Sequence, residues 1–204
     1  YDRIGYGRSS PLSGPRDVRY LHDHALVELP AVLESLLPDG DYVLVGHSDG
    51  GSIGLIHAAT RPPRLRALIT EAAHVFVEDV TLAGIRSAAE AHAAGKLRGL
   101  ARYHGERADD VFLAWRNIWL DERFRGWNIE AVLPGIAVPV LAIQGLDDQY
   151  GTPAQVAAIV AGRPERRPAL VAGCAHVPHR EQPDEVLRLM RDFLRELDAA
   201  GSAG

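Results

Sequence analysis

Short apolar runs alternate along the chain with stretches in which apolar side chains return every three or four positions. Tyr42-Val43-Leu44-Val45 ends at Gly46 and reads as a short, buried parallel strand. Residues 65–70 read as a second such strand, 138–143 (running out at Gln144-Gly145) as a third, and 168–172 (stopped by Gly173) as a fourth. Between them the period lengthens. Val18, Leu21, Ala25, Leu29, Val32, Leu33 and Leu36 share one helical face, and Pro30 is expected to kink or split that helix. A helix over 53–59 continues out of the Gly-rich turn at 50–51. Residues 183–197 form an amphipathic helix with Val186, Met190, Phe193, Leu194 and Leu197 on one side, and Pro183 in the first turn, where proline is tolerated. Strand and helix in alternation predict an α/β fold, a doubly wound and mostly parallel sheet with helices on both faces.

The interval 74–135 breaks this rhythm. It is helical in character, carries no strand signal, and predicts an insertion between the second and third strands. Val111, Phe112, Trp115, Ile118 and Trp119 make an apolar stripe at helical spacing. Such a stripe packs the insertion onto the core, or some of its rings line a pocket under a lid. The Ala/Gly/Ser tail over 199–204 is expected to fray.

Composition narrows the function classes. Of 204 residues, 47% are apolar and 24% charged, an ordinary globular balance. Lys and Arg number 22 against 27 Asp and Glu, so the net charge of −5 lacks the basic footprint of a nucleic-acid binder. No apolar run approaches the ~18 residues that a membrane span needs. The single cysteine, Cys174, allows neither an intrachain disulfide nor a cysteine metal cluster, and it reads as a small buried filler. Sparse cysteine is in keeping with a cytoplasmic location. No His, Asp or Glu spacing suggests a metal, and no cofactor is expected.

Gly46-His47-Ser48-Asp49-Gly50 follows a predicted strand and precedes a predicted helix. That context turns Gly-x-Ser-x-Gly into a nucleophile elbow. A serine in a strained turn needs small neighbours two before and two after it, here Gly46 and Gly50. Gly51 and Gly54 would let the helix lie close to the sheet. A serine hydroxyl needs a base, and the base needs an orienting acid. The third strand ends in Gln144-Gly145-Leu146-Asp147-Asp148 and the fourth in Gly173-Cys174-Ala175-His176. Each candidate sits just past the C-terminal end of a strand, where open α/β sheets place their ligands. The order Ser, Asp, His is the one this arrangement requires.

With these motifs the chain resembles the α/β-hydrolase fold superfamily, in the branch of meta-cleavage-product C–C hydrolases, esterases and proline iminopeptidases. Residues 1–9 resemble the loop that follows the strand before the elbow strand, 46–50 the elbow, 145–148 the acid loop, and 173–176 with Glu181-Gln182-Pro183 the histidine loop and the start of the last helix. The resemblance implies a core over 1–73 and 136–204 and a helical cap over 74–135. It implies Ser48 as nucleophile, His176 as base, Asp148 as acid and the Asp49 backbone N–H as an oxyanion donor. Asp147 is the rival acid and His179 the rival base, the latter otherwise a pocket residue. His47 would pack or hydrogen-bond beneath the elbow. His74, Phe76, Trp115 and Trp119 are the expected substrate contacts. A serine nucleophile argues against dehalogenase and epoxide-hydrolase chemistry, which in this fold use aspartate.

The family carries further strands before the point where this chain opens, at Tyr1 and without a Met, and one of them bears the second oxyanion donor. The expectation is therefore an N-terminally truncated hydrolase whose strand 42–45 would be an exposed apolar edge. The primary reading is cleavage of a carboxylic ester or similar small acyl compound through an acyl-enzyme. The alternatives are C–C bond hydrolysis of aromatic ring-cleavage products, and a non-catalytic ligand-binding module of the same fold. The expected partner is a small-molecule acyl substrate, with neither nucleic acid nor membrane; a homo-oligomer is left open.

Overall fold

The structure is a computed structural model and describes residues 1–201. Its centre is a four-stranded parallel sheet, β1 (Tyr42–His47), β2 (Leu65–Glu71), β3 (Val140–Gly145) and β4 (Arg166–Val171), lying side by side in chain order. Successive side chains on a strand face opposite ways. Accordingly Leu68, Val140 and Ala142 enter one core, while Ala67, Ile69, Leu141 and Ile143 enter a second. The first core is covered by α1 (Tyr20–Asp23), α2 (Leu29–Leu36), α3 (Asp49–Ala59) and α7 (Ala154–Val160). The second is covered by α9 (Pro183–Gly201), through Val186 and Phe193.

The segment between β2 and β3 holds α4 (Asp79–Ala93), α5 (Ala101–His104) and α6 (Ala108–Trp119), linked by short 3₁₀ turns. Trp119 packs at 5.1 Å from Phe124, which stacks at 5.4 Å on Trp127. Polar ties fasten the segment to the N-terminal loop. The Gly7 N–H donates to His104 Nδ1 (2.9 Å), and Arg107 Nη2 donates to the carbonyls of Gly7 (2.6 Å) and Ser9 (2.9 Å). The short α8 (Pro178–Glu181) follows the last strand's loop, and its Arg180 donates to Tyr103 Oη at 3.1 Å.

Several expectations change in detail. The first helix does not run through 18–36. It opens into a π-helical turn over His24–Glu28 and resumes at Leu29, so that Pro30, which has no N–H to donate, falls in the first turn of α2. β1 is not buried on both sides but is the sheet's edge among the described residues, with Val43 and Val45 36% and 53% exposed. β4 begins two residues early, at Arg166-Arg167, with Pro168 tolerated on an edge strand. α3 begins at Asp49, before the glycines. α7 was not anticipated at all. Within the tail, α9 continues to Gly201 instead of fraying, and 202–204 lie outside the described residues. No helix of the described residues is long and apolar enough to cross a membrane.

The elbow glycines are not equivalent. A Cβ on Gly46 would stand 2.3 Å from the Gly50 carbonyl oxygen, one on Gly51 2.7 Å from Ala73 Cβ, and one on Gly54 2.8 Å from Leu68 Cδ1. A Cβ on Gly50 would meet nothing within 4 Å, so the demand for smallness two residues past the serine is not steric here. Gly46→Ala should therefore cost about 2 kcal/mol in urea unfolding. Gly50→Ala should lie within ~1 kcal/mol of wild type, in the stabilising direction. Equal losses at both positions would contradict this packing.

Candidate active site

Ser48 occupies the single-residue gap between β1 and α3 at φ 52°, ψ −122°, in the positive-φ region that residues with a side chain avoid. The junction is held from both sides. The Ser48 N–H donates to the Glu71 carbonyl (2.8 Å), and the Ser48 carbonyl accepts from Gly51 N–H (2.9 Å) and Ser52 N–H (3.1 Å). The Oγ is thereby carried above the ends of the strands. There it meets His176 Nε2 at 3.0 Å. On the far side of the ring, His176 Nδ1 lies 2.9 and 3.0 Å from the two carboxylate oxygens of Asp148. A carboxylate only accepts, so Nδ1 carries the proton and Nε2 of the neutral ring is left to accept from the Ser48 hydroxyl.

Asp148 is buried and its carboxyl is held below the ordinary carboxylate range. Burial alone would raise it, but the hydrogen bond and charge of His176 and the Tyr150 N–H, at 2.8 Å from Oδ1, outweigh that. Asp147, the rival acid, is exposed, and its backbone N–H donates to the Cys174 carbonyl. His179, the rival base, is engaged elsewhere. Its N–H and Nδ1–H both donate, at 3.0 Å, to one oxygen of the buried Glu71 carboxylate. His47 donates from Nε2 to the His176 carbonyl at 2.7 Å, tying the elbow to the histidine loop. His74 donates from Nε2 to the Tyr150 carbonyl at 2.9 Å. Burial pushes the imidazoles of His47 and His74 below their ordinary value, so the rings around His176 stay neutral.

Asp49 follows the serine and turns its side chain inward. There Oδ2 accepts from Tyr20 Oη (3.0 Å) and Arg3 Nη2 (3.3 Å). Its backbone N–H is the first of α3, one of the four that a helix leaves without an internal acceptor.

The aromatic stripe divides. Trp115 lines a cavity of about 500 Å³ beneath α4 and α6, together with Phe112 and Tyr150. Trp119 is 2% exposed and packs into the core instead. Phe76 is half-buried against the same core and pairs its backbone with Asn128. His74 is buried between Trp119, at 5.2 Å, and His176, at 6.1 Å. Two residues with no signal in the sequence complete the site. Tyr150 sets its ring edge-on to His176 at 4.6 Å, and Glu71 anchors α8. No group of three or more His, Cys, Asp and Glu among the described residues could hold a metal ion.

A parallel sheet carrying a strained serine, a carboxylate and an imidazole past the C-terminal ends of its first, third and fourth strands defines an α/β-hydrolase architecture. The chain belongs to the alpha/beta hydrolase family, whose sequence profile matches residues 1–189. Among curated proteins, the polyketide synthase ThaQ of Burkholderia thailandensis is 30% identical over 239 residues. That match takes in all of this chain but only 11% of the relative's length. Two crystal structures are similar over 97% of the chain. VinJ is 27% identical, with a TM-score of 0.69 over 80% of its own chain. NosK from Streptomyces actuosus is 25% identical, with a TM-score of 0.72 over 85% of its own chain.

Cys174 sits two residues before the imidazole, 1% exposed. Burial, reinforced by nearby carboxylates, pushes its thiol up to about 11. In the native protein at about pH 8 it should react with iodoacetamide on the order of 10²-fold more slowly than an ordinary cysteine, with normal reactivity restored in denaturant. Rapid labelling of the native protein would contradict the burial of this side chain.

Proposed function

We propose that the chain is a serine hydrolase that cleaves a carboxylic ester or similar small acyl substrate. The observation that carries this is the unbroken hydrogen-bond line from Ser48 Oγ through His176 to Asp148, with both links at about 3 Å. In this reading His176 Nε2 takes the hydroxyl proton as Ser48 Oγ bonds to the acyl carbon. The tetrahedral oxyanion receives the Asp49 backbone N–H, a contribution whose removal typically costs ~10²–10³ in rate. The leaving oxygen takes the proton from His176 as its bond to carbon breaks. A water then repeats the sequence on the acyl-enzyme, returning the proton to Ser48. Asp148 keeps the ring in the useful tautomer and faces the imidazolium that forms each time. His47 and His74, held neutral, add no opposing cation.

A fluorophosphonate probe tests the central claim. It should label the wild-type protein, and Ser48→Ala should abolish labelling. A folded sample that resists the probe would favour the ligand-binding reading over catalysis. On an ester substrate, Asp148→Asn should lower kcat by ~10²–10⁴ because the ring loses its orienting acceptor. Asp147→Asn should change it by only a few-fold. Steady-state kinetics that ranked the two the other way would reassign the acid.

A further inference from the structure

The cavity that Trp115 lines lies one side chain from the reacting atoms. Tyr150 forms part of its wall, and the same ring stands 4.6 Å from His176, which touches Ser48 Oγ. One wall is the small-residue face of α4, with Gly84, Ala88 and Ala91 at successive turns; the opposite wall is aromatic, Phe112 and Trp115 of α6. At about 500 Å³ it has the size of a small-molecule site. It is far too large for an acetyl group alone.

The chemistry of the wall is as informative as its size. None of the lining residues is Asp, Glu, Lys or Arg. The polar groups are the hydroxyls of Tyr6, Ser87 and Tyr150, the Gln149 amide and His104, whose Nδ1 accepts from the Gly7 N–H; none is a carboxylate, ammonium or guanidinium. An acyl group ending in an ammonium would be buried without a carboxylate, and one ending in a carboxylate without a cation; both are strongly disfavoured. Apolar surface, by contrast, is matched on both sides.

We propose that this cavity is the acyl-group site, and that it selects uncharged, apolar acyl groups larger than acetyl, either medium-chain or aryl, with Ala88 and Trp115 setting the size limit. The assignment rests on the serine-hydrolase reading for its turnover but not for its binding.

Hydrolysis of p-nitrophenyl acetate, octanoate and a carboxylate-terminated C8 ester provides the first test. The octanoate should exceed both others at least tenfold in kcat/KM. In Ala88→Phe, where a ring fills the cavity, the octanoate-to-acetate ratio should fall at least tenfold. In Trp115→Ala, which enlarges the cavity, the preference should move to longer chains, so the assignment stays testable if the first variant folds poorly. Binding of octanamide to Ser48→Ala, followed by calorimetry, separates this inference from the catalytic one. Saturable binding that Ala88→Phe removes would support the cavity assignment even if no ester were turned over. Preference for acetate or for the charged ester, an unchanged ratio in both variants, or octanamide binding indifferent to residue 88 would overturn it while leaving Ser48 as nucleophile.

Discussion

The backbone of Ser48 is the constraint on which the rest of the site depends. An L-residue at φ 52°, ψ −122° costs roughly 1–3 kcal/mol and persists only where its surroundings dictate it. Here β1 fixes the residue before and α3 the residues after, and the turn between them is closed to a single step. The Glu71 carbonyl takes the serine's N–H, and Ser52 Oγ is locked to the backbone of His74 in both directions, at 2.6 and 3.1 Å. Gly46 makes the bend passable, because any Cβ there would collide with the Gly50 carbonyl. The strain is thus opposed by hydrogen bonds drawn from the end of the neighbouring strand. In return the hydroxyl is lifted clear of both elements and faces the loops that follow β3 and β4.

Those loops are held by a polar frame that is mostly buried. Glu71 serves twice, its carbonyl on the serine's N–H and its carboxylate on both donors of His179. A buried carboxylate oxygen that accepts twice from one residue is a strong locator, since losing that residue removes both hydrogen bonds at once. His47 adds a second tie, to the His176 carbonyl. Elbow and histidine loop are therefore fastened to each other directly, over a sequence separation of more than a hundred residues, and do not depend on the sheet alone for their spacing.

How much of this is legible in the sequence follows from where each interaction lives. Ser48, Asp148 and His176 are written locally, as a glycine pattern or a residue at a fixed step past a strand, and parallel register brings strand ends together. The four strands are legible for the same reason, to within two residues at their ends. Tyr150, Glu71 and Gln155 are not. Gln155 stitches Val75, Phe76 and Glu78 to α7 from a position that is fully buried, and nothing adjacent in sequence announces it. Arg166 misleads for a related reason. A guanidinium reads as surface, yet it is 4% exposed and donates to the carbonyls of Ile159, Leu133 and Ile136, which moves the start of β4. The aromatic stripe is legible as a helical face but not as two environments. α6 flanks the cavity at Phe112 and Trp115 and reaches the core at Ile118 and Trp119, a division that only tertiary packing decides.

Tyr150 shows why site and cavity cannot be treated as separate parts. Its N–H donates to Asp148 Oδ1, its carbonyl receives His74 Nε2 and Thr81 Oγ1 (2.9 and 2.6 Å), and its ring meets both His176 and the cavity. α4 is seated directly on this segment, for a Cβ on Gly84 would stand 2.5 Å from the Gln149 carbonyl and 2.9 Å from the Tyr150 ring. The glycine that lets α4 approach therefore also sets how far the tyrosine ring can lean toward His176. A side chain at residue 84 would press on the residue whose N–H and ring meet the carboxylate and the imidazole. In the proposed reading, acyl-group selection and alignment of the Ser48–His176–Asp148 line meet at this one side chain, and Gly84 is what lets α4 approach it.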